Sequence, residues 1–245
     1  MEQEVFTRMA RQEETHWWFR SRRRIVASLL KALGPSKENP AILEAGCGTG
    51  GNLEMLSGFG SVKAFEIDPG ACTIAREHGA EVREGSLPDA NPYAGQKFDL
   101  IILLDVLEHI EDDQGSLKSL SECLTAEGRI FITVPAFSFL WSRHDEIHHH
   151  FRRYRRPELL AKLREAGLEP VRCSYFNFWL FPVIASIRWV KGLVGSQKGD
   201  EEGIPAPMVN NLLAGIFSSE RFILPRMSLP LGVSLLAVAR PGRKP

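Results

Sequence analysis

The residues that could do chemistry begin with Ile42-Leu43-Glu44-Ala45-Gly46-Cys47-Gly48-Thr49-Gly50-Gly51. A short apolar strand enters this run and a helix leaves it. Glycines at such a turn let the backbone bend tightly and approach a ligand with no Cβ in the way, and the amides at the start of the following helix face that ligand. Glu44 stands just ahead of the turn, where a carboxylate would repel a pyrophosphate but could hold a cationic amino-acid group. Gly46, Gly48 and Gly51 also satisfy G-x-G-x-x-G, a pattern of dinucleotide sites that is weak by itself, and a second nucleotide-binding half is not recognisable. No Ser-His-Asp or Cys-His set stands at a recognisable spacing, so covalent catalysis has no support. Cys47, Cys72, Cys123 and Cys173 are scattered and form no CxxC pair, which excludes a zinc knuckle and a disulfide framework.

The surrounding pattern supplies the elements that must position these groups. Met1 to Leu33 reads as helix, with Ile25, Leu29, Leu30 and Leu33 at helical spacing and Gly34-Pro35 as its stop. Strands are expected at Ala41–Ala45, Val62–Ile67, Glu81–Glu84, Phe98–Leu104, Arg129–Val134, Val171–Tyr175 and Val233–Ala239. Helices are expected at Leu53–Phe59, Ala71–His78, Asp112–Leu124 and Pro157–Ala166. Leu100-Ile101-Ile102-Leu103-Leu104 is apolar on both faces, as in a central parallel strand. Alternating strands and helices imply an α/β, doubly wound, mostly parallel sheet. Two stretches break the alternation: Ala136 to Arg156, and a helical insertion from Phe176 to Pro230. The expected division of one domain over 1–245 is an N-terminal helical lid (1–35), a core (41–175), the insertion or acceptor lid (176–230) and a final strand (231–240).

Glu44-Ala45-Gly46-Cys47-Gly48-Thr49-Gly50 resembles the E/D-x-G-x-G-x-G motif of class I S-adenosylmethionine (SAM)-dependent methyltransferases. Later segments fall at that family's spacing. Phe65-Glu66-Ile67-Asp68 resembles its second strand end, where an acidic residue holds the ribose hydroxyls, with Glu66 the better match and Asp68 second. Gly85-Ser86-Leu87 resembles the adenine-edge segment, although the family often has Asp where Ser86 stands. Leu104-Asp105-Val106 resembles the fourth strand end, and Gly128 to Pro135 the fifth strand. The match covers Ala41 to Val134 and the final strand. It implies SAM as cofactor and a seven-stranded sheet of order 3-2-1-4-5-7-6 with strand 7 antiparallel. Asp105-Val106-Leu107-Glu108-His109 further resembles ubiquinone-pathway O-methyltransferases, in which acidic residues and a histidine are implicated in binding a divalent metal. Asp105, Glu108 and His109 would be the matching ligands. The same residues occur in metal-free relatives, where Glu108 and His109 brace the turn, and no metal is expected here.

In that family the connection after strand five borders the methyl acceptor, which makes His144, Asp145, His149 and Tyr154, together with His109, the candidates for acceptor binding or base work. Three adjacent histidines, His148 to His150, cannot all face one ion on a regular element. His16-Trp17-Trp18-Phe19-Arg20 reads either as a lid over the pocket or as packing on the sheet edge. Phe176 to Val194 reads as buried helix, as acceptor lid or as an interfacial helix; the last would suit a lipid-linked acceptor and peripheral membrane contact. Gly195 to Pro207 is expected to be a loop.

Thirty Lys and Arg balance 30 Asp and Glu, so bulk charge gives no argument for nucleic acid. The first 24 residues hold no apolar h-region, and a cytoplasmic protein is expected. The expected activity is methyl transfer to a small-molecule or lipid-linked acceptor, oxygen slightly favoured. The alternatives are a nicotinamide-dependent oxidoreductase that shares the glycine turn and a non-catalytic subunit of the same fold.

Overall fold

A computed structural model describes residues 10–194 and 203–242, with the backbone alone for 191–194. Its elements run α1 (Trp17–Leu33), β1 (Ala41–Ala45), α2 (Leu53–Ser57), β2 (Ser61–Glu66), α3 (Pro69–Arg76), β3 (Glu81–Glu84), β4 (Phe98–Leu104), α4 (Asp113–Ser121), β5 (Leu124–Pro135), α5 (Arg143–Ile147), α6 (Arg156–Glu165), β6 (Leu168–Phe176), α7 (Phe181–Val194), α8 (Pro207–Ser218) and β7 (Ser234–Pro241). The seven strands form one sheet in the order β3-β2-β1-β4-β5-β7-β6. β7 lies antiparallel to both its neighbours, and the remaining pairs are parallel. The expected architecture and strand order are therefore those observed. Chain order reverses between β1 and β4, and ligands of open α/β sheets bind beyond the carboxyl ends of strands at such a point.

The period of two along each strand divides the core into two layers. Leu43, Ile101, Leu103, Ile130 and Ile132 face one side with Leu117, Leu120, Leu159 and Leu163 of α4 and α6. Ile42, Leu100, Ile102 and Phe131 face the other, where α1 contributes Ile25, Val26, Leu29 and Leu30. All seven residues of β4 are buried: Leu100 to Leu104 form its apolar run, and Asp99 accepts from Ala41 N and Lys37 Nζ. Each buried Leu or Ile contributes roughly 1.5–3 kcal/mol, so the sheet centre is the rigid part of the scaffold.

Several boundaries differ from expectation, most by one to three residues. The N-terminal helix does not run unbroken to Leu33: residues 10–15 are helical, His16 turns out to φ −69°, ψ 135°, and α1 begins at Trp17. His16 Nδ1 accepts from Trp18 N, and Asn210 Oδ1 of α8 accepts from Trp17 N at 2.8 Å, so the break supplies partners for amides that a helix start leaves open. The portion of the expected helix before residue 10 lies outside the described residues. α4 stops at Ser121, and β5 starts at Leu124 rather than Arg129, because Leu124 pairs with Phe98 across a register shift. Finally, the insertion is built from α7, α8 and a short turn at Ser219–Phe222; part of the expected loop Gly195 to Pro207 lies outside the described residues.

Candidate functional site

Beyond the carboxyl ends of β1, β2 and β4 lies a cavity of about 790 Å³, within the range of small-molecule sites. Its cofactor-sized end is backbone and carboxylate. Gly46 and Gly48 line it with φ +72° and +56°. A Cβ on Gly46 would stand 2.8 Å from the Val106 side chain, so only glycine lets the turn close against the end of β4. Gly46 N and Cys47 N both donate to Phe65 O, which ties the turn to β2. Glu66 stands beside it, its Oε2 accepting from Gly48 N at 2.9 Å and its Oε1 from Ile67 N at 2.8 Å. Those amides fix the carboxylate before any ligand arrives. Asp68 also borders the cavity, but its Oδ1 caps α3 through Gly70 N and Ala71 N. Ile67, Ser86, Leu87, Leu104, Asp105 and Val106 complete this wall.

Three expected cofactor residues stand behind the wall, outside the set lining the cavity. Ala45 is buried in the sheet. A Cβ on Gly50 would meet His78 and Ala75, so this glycine permits close packing of the turn on α3. Glu44 is fully buried; one oxygen accepts from Asn52 Nδ2 at 2.8 Å and the other has no partner. Burial pushes its carboxyl up to about 8. Glu44 therefore reaches the cavity through Asn52, which does line it.

Two elements cover this end. Glu13, on the helical stretch before α1, accepts from Thr49 Oγ1 at 2.6 Å and from Gly51 N at 3.1 Å. Trp18, Phe19 and Arg22 of α1 line the cavity, whereas Trp17 packs edge-on against Phe217 in the core. The aromatic run thus serves both as cover and as packing, from opposite faces of one helix. Arg22 lies over the Trp18 ring and pairs with Asp105, which also accepts from Thr133 Oγ1 at 3.0 Å. Asp105 holds φ +59°, a left-handed conformation uncommon outside glycine, and these two partners fix it.

The far end of the cavity is different in kind. His109, His144, His148 and His150 line it with Glu108, Phe151, Arg153 and Arg188. A buried ion-pair knot holds the loop that carries them. Asp145 accepts from Arg153 Nε at 2.7 Å and Nη2 at 2.9 Å and from Ser142 N, and it pairs with His150 Nδ1 at 2.8 Å. Though burial raises it, His150 and Arg153 hold the Asp145 carboxyl well below the usual range. Burial and the neighbouring His150 lower His109 to about 4; burial and His148 lower His144 to about 3. Both shifts favour the neutral imidazole, although His109 keeps part of its surface open to solvent. Glu108 is buried with one carboxylate oxygen unpartnered, and burial together with Asp105 pushes its carboxyl up.

Of the expected acceptor-side residues, His109 and His144 line the cavity, and three do not. Asp145 is consumed by the knot. Tyr154 is buried and donates to Asp113 Oδ2 at 2.8 Å, on the far side of the loop. His149 is exposed, and its φ of +54° turns it outward while His148 and His150 turn in. Sequence reasoning missed His148 and His150, Arg22 and Arg153, Asn52 and Glu13. The five-residue step from Asp145 to His150 was the available signal. The metal set also differs from the resemblance: Asp105 is engaged by Arg22, and among the described residues those whose ligand atoms lie within 4.8 Å of one another are Glu108, His109 and His150. Their chemistry, one orphaned carboxylate oxygen and two imidazoles with His150 braced by Asp145, suits a divalent cation.

Comparison with known proteins agrees with this geometry. A family profile described as a methyltransferase domain matches residues 17–172. The chain is 28% identical over 148 residues to a ubiquinone biosynthesis O-methyltransferase of Xanthomonas axonopodis pv. citri, a match that takes in 52% of this chain and 62% of that protein. A Xylella fastidiosa protein of the same name is 29% identical over 147 residues, 52% of this chain and 60% of its own. The chain thus spans about three fifths of the length of these curated relatives. Among solved structures, geranyl diphosphate C-methyltransferase from Streptomyces coelicolor, in complex with Mg2+, geranyl diphosphate and S-adenosyl-L-homocysteine, superposes with a TM-score of 0.59 at 15% identity, covering 87% of this chain and 76% of that one. A TehB-like SAM-dependent methyltransferase from Corynebacterium glutamicum gives 0.55 at 20% identity, covering 88% and 86%. At these identities the structural likeness speaks for the fold. With the profile spanning well over half of the sequence on a sheet of the expected order, the chain belongs to the class I SAM-dependent methyltransferase family.

Proposed function

We propose that the protein transfers a methyl group from SAM to a hydroxyl oxygen of a small, apolar or lipid-linked acceptor. The observation that carries this reading is a cavity with two chemically distinct ends, carboxylate and bare backbone at the strand ends, a group of imidazoles at the other. When bound, SAM supplies a methyl group already attached to a good leaving group, so the chain's task is alignment and proton removal. Glu66 would accept from the ribose hydroxyls, Gly46 and Gly48 would bring their backbone to the nucleoside, and Ser86 and Leu87 would border the base. Asn52, oriented by Glu44, would hold the amino-acid portion. At the other end His144, which lines the cavity, would take the acceptor's hydroxyl proton as that oxygen bonds to the methyl carbon and the methyl–sulfur bond breaks, with S-adenosylhomocysteine leaving. Glu108, His109 and His150 would hold a divalent cation, and such an ion would acidify the same hydroxyl. The curated relatives' O-methyltransferase names favour oxygen over carbon or nitrogen.

Incubation of the purified chain with methyl-labelled SAM and a bacterial extract tests this. Label should enter an organic-extractable product carrying an alkali-stable methyl ether, and His144→Ala should reduce it at least tenfold. Label confined to carbon or nitrogen would remove the oxygen assignment, and no transfer despite SAM binding would favour a non-catalytic subunit.

A further inference from the structure

The insertion helix α7 has apolar residues on two sides. Its inner side carries Phe181, near the Phe137 ring, Ile184 packed on the core, and Arg188, which lines the cavity and donates to Leu140 O at 2.6 Å. Its outer side carries Val183, Ile187 and Val190, spaced four and three residues apart and therefore in one stripe, with Trp189 beside them. These side chains are 58%, 48%, 50% and 70% exposed. Trp179, just before the helix, is also exposed, as are Phe139 and Trp141 on the turn that α7 packs against. An apolar, aromatic-rich surface of this kind is costly in water and marks a docking site.

Charge indicates what docks. From Pro170 to Gly199 the sequence contains no Asp or Glu; of its cations, Arg172 lies on β6 and donates to Pro225 O, Arg188 is turned to the cavity, and Lys191 follows the stripe on α7. α8, the other helix of the insertion, likewise has no acidic residue; Asp200, Glu201 and Glu202 fall between the helices, outside the described residues. A stripe of aliphatic residues edged by tryptophan, with no carboxylate on its helix and Lys191 at its end, matches the chemistry of a membrane interface with anionic headgroups. No helix among the described residues is long and apolar enough to cross a membrane, and the 14 residues of α7 suffice only to lie along one.

We infer that the outer face of α7, with Trp179 and Trp189, seats the protein on the surface of an anionic lipid bilayer. Only α7 then stands between the cavity and the membrane at this point, since Arg188 on its inner side lines the cavity. An acceptor with a lipid tail could enter without leaving the apolar phase; that consequence rests on the proposed methyl transfer, whereas the docking does not.

Vesicle flotation of the full chain tests the inference. Vesicles of phosphatidylcholine with one third phosphatidylglycerol should carry the protein, and pure phosphatidylcholine should carry at least fivefold less. Ile187→Glu and Trp189→Glu, both at exposed positions, should each lower binding to the mixed vesicles at least tenfold while thermal unfolding and SAM affinity stay as in the parent. Failure to float with either vesicle overturns the inference, as does unchanged binding by both variants. A concentration-dependent dimer that the same variants abolish would instead assign the face to a second copy. Because SAM affinity is read separately, its absence would strike the methyltransferase reading and leave the vesicle result standing.

Discussion

The two ends of the cavity are built by different means. At the cofactor end the floor of the site is delivered by strands, with α1 as its cover: Gly46 follows β1, Glu66 ends β2, and Asp105 follows β4. Parallel register fixes their spacing, and backbone amides orient the carboxylate of Glu66. At the acceptor end the chain between β5 and α6 has only short helical turns, and one buried carboxylate, Asp145, gathers Ser142, His150 and Arg153 around itself. The first design is stable because the sheet is. The second depends on a handful of charged contacts, and replacing them is a route to a new acceptor with the cofactor site left intact.

The largest effect that would break this comparison is at the knot. Arg153→Ala leaves Asp145 buried without its bidentate partner, and loss of one member of a buried pair costs about 3–5 kcal/mol. Urea unfolding should show that loss. If the variant retains enough fold to bind SAM, its affinity should stay within threefold of the parent's. Equal loss at both ends would mean that the ends are not independent.

A second expected effect sharpens the account of the cofactor end. Glu44 has its carboxyl raised from 4.5 to about 8 by burial, so the folded state keeps a proton that the unfolded chain releases. Its contribution to stability is therefore full at low pH and lost as pH rises from 4.5 through about 8. Relative to Glu44→Gln, the parent should grow less stable across that window by up to a few kcal/mol, read by urea unfolding at several pH values. A pH-independent difference would place Glu44 in contact with solvent or with a cation.

These two regions were unequally legible in the sequence. Strand ends can be read because a buried strand is an apolar run with a visible stop, and both Gly46 and Glu66 sit at such stops. Burial of Glu44 behind Asn52 was not legible, since a strand's last residues face opposite sides and the pattern does not say which side the ligand takes. At the acceptor end the sequence showed a cluster of histidines without its geometry. His149 was singled out, yet its positive φ sends it outward and turns His148 and His150 in. Tyr154 was singled out for its chemistry, and its hydroxyl is committed to Asp113, with which Lys162 and Arg152 also pair. No periodicity reports such ion-pair closures, because their partners are set by the fold of an irregular segment.

The smallest effect follows from that correction. Tyr154→Phe removes the hydrogen bond to the Asp113 carboxylate and the longer contact with Leu107 O, and should cost about 1.5–3 kcal/mol of stability. Methyl transfer, measured with the labelled donor, should keep its kcat within twofold. A kcat loss of tenfold or more would return Tyr154 to the reaction.

The central claim is that Glu66 and the bare glycine turn form a site for the SAM nucleoside, and isothermal titration calorimetry addresses it most directly. The parent chain should bind SAM saturably and give no heat with NAD, and Glu66→Ala should weaken SAM by about 1.5–3 kcal/mol, on the order of 10- to 100-fold, through the lost charged hydrogen bonds. Binding of NAD with no response to SAM, or a Glu66→Ala variant that binds SAM as tightly as the parent, would contradict it.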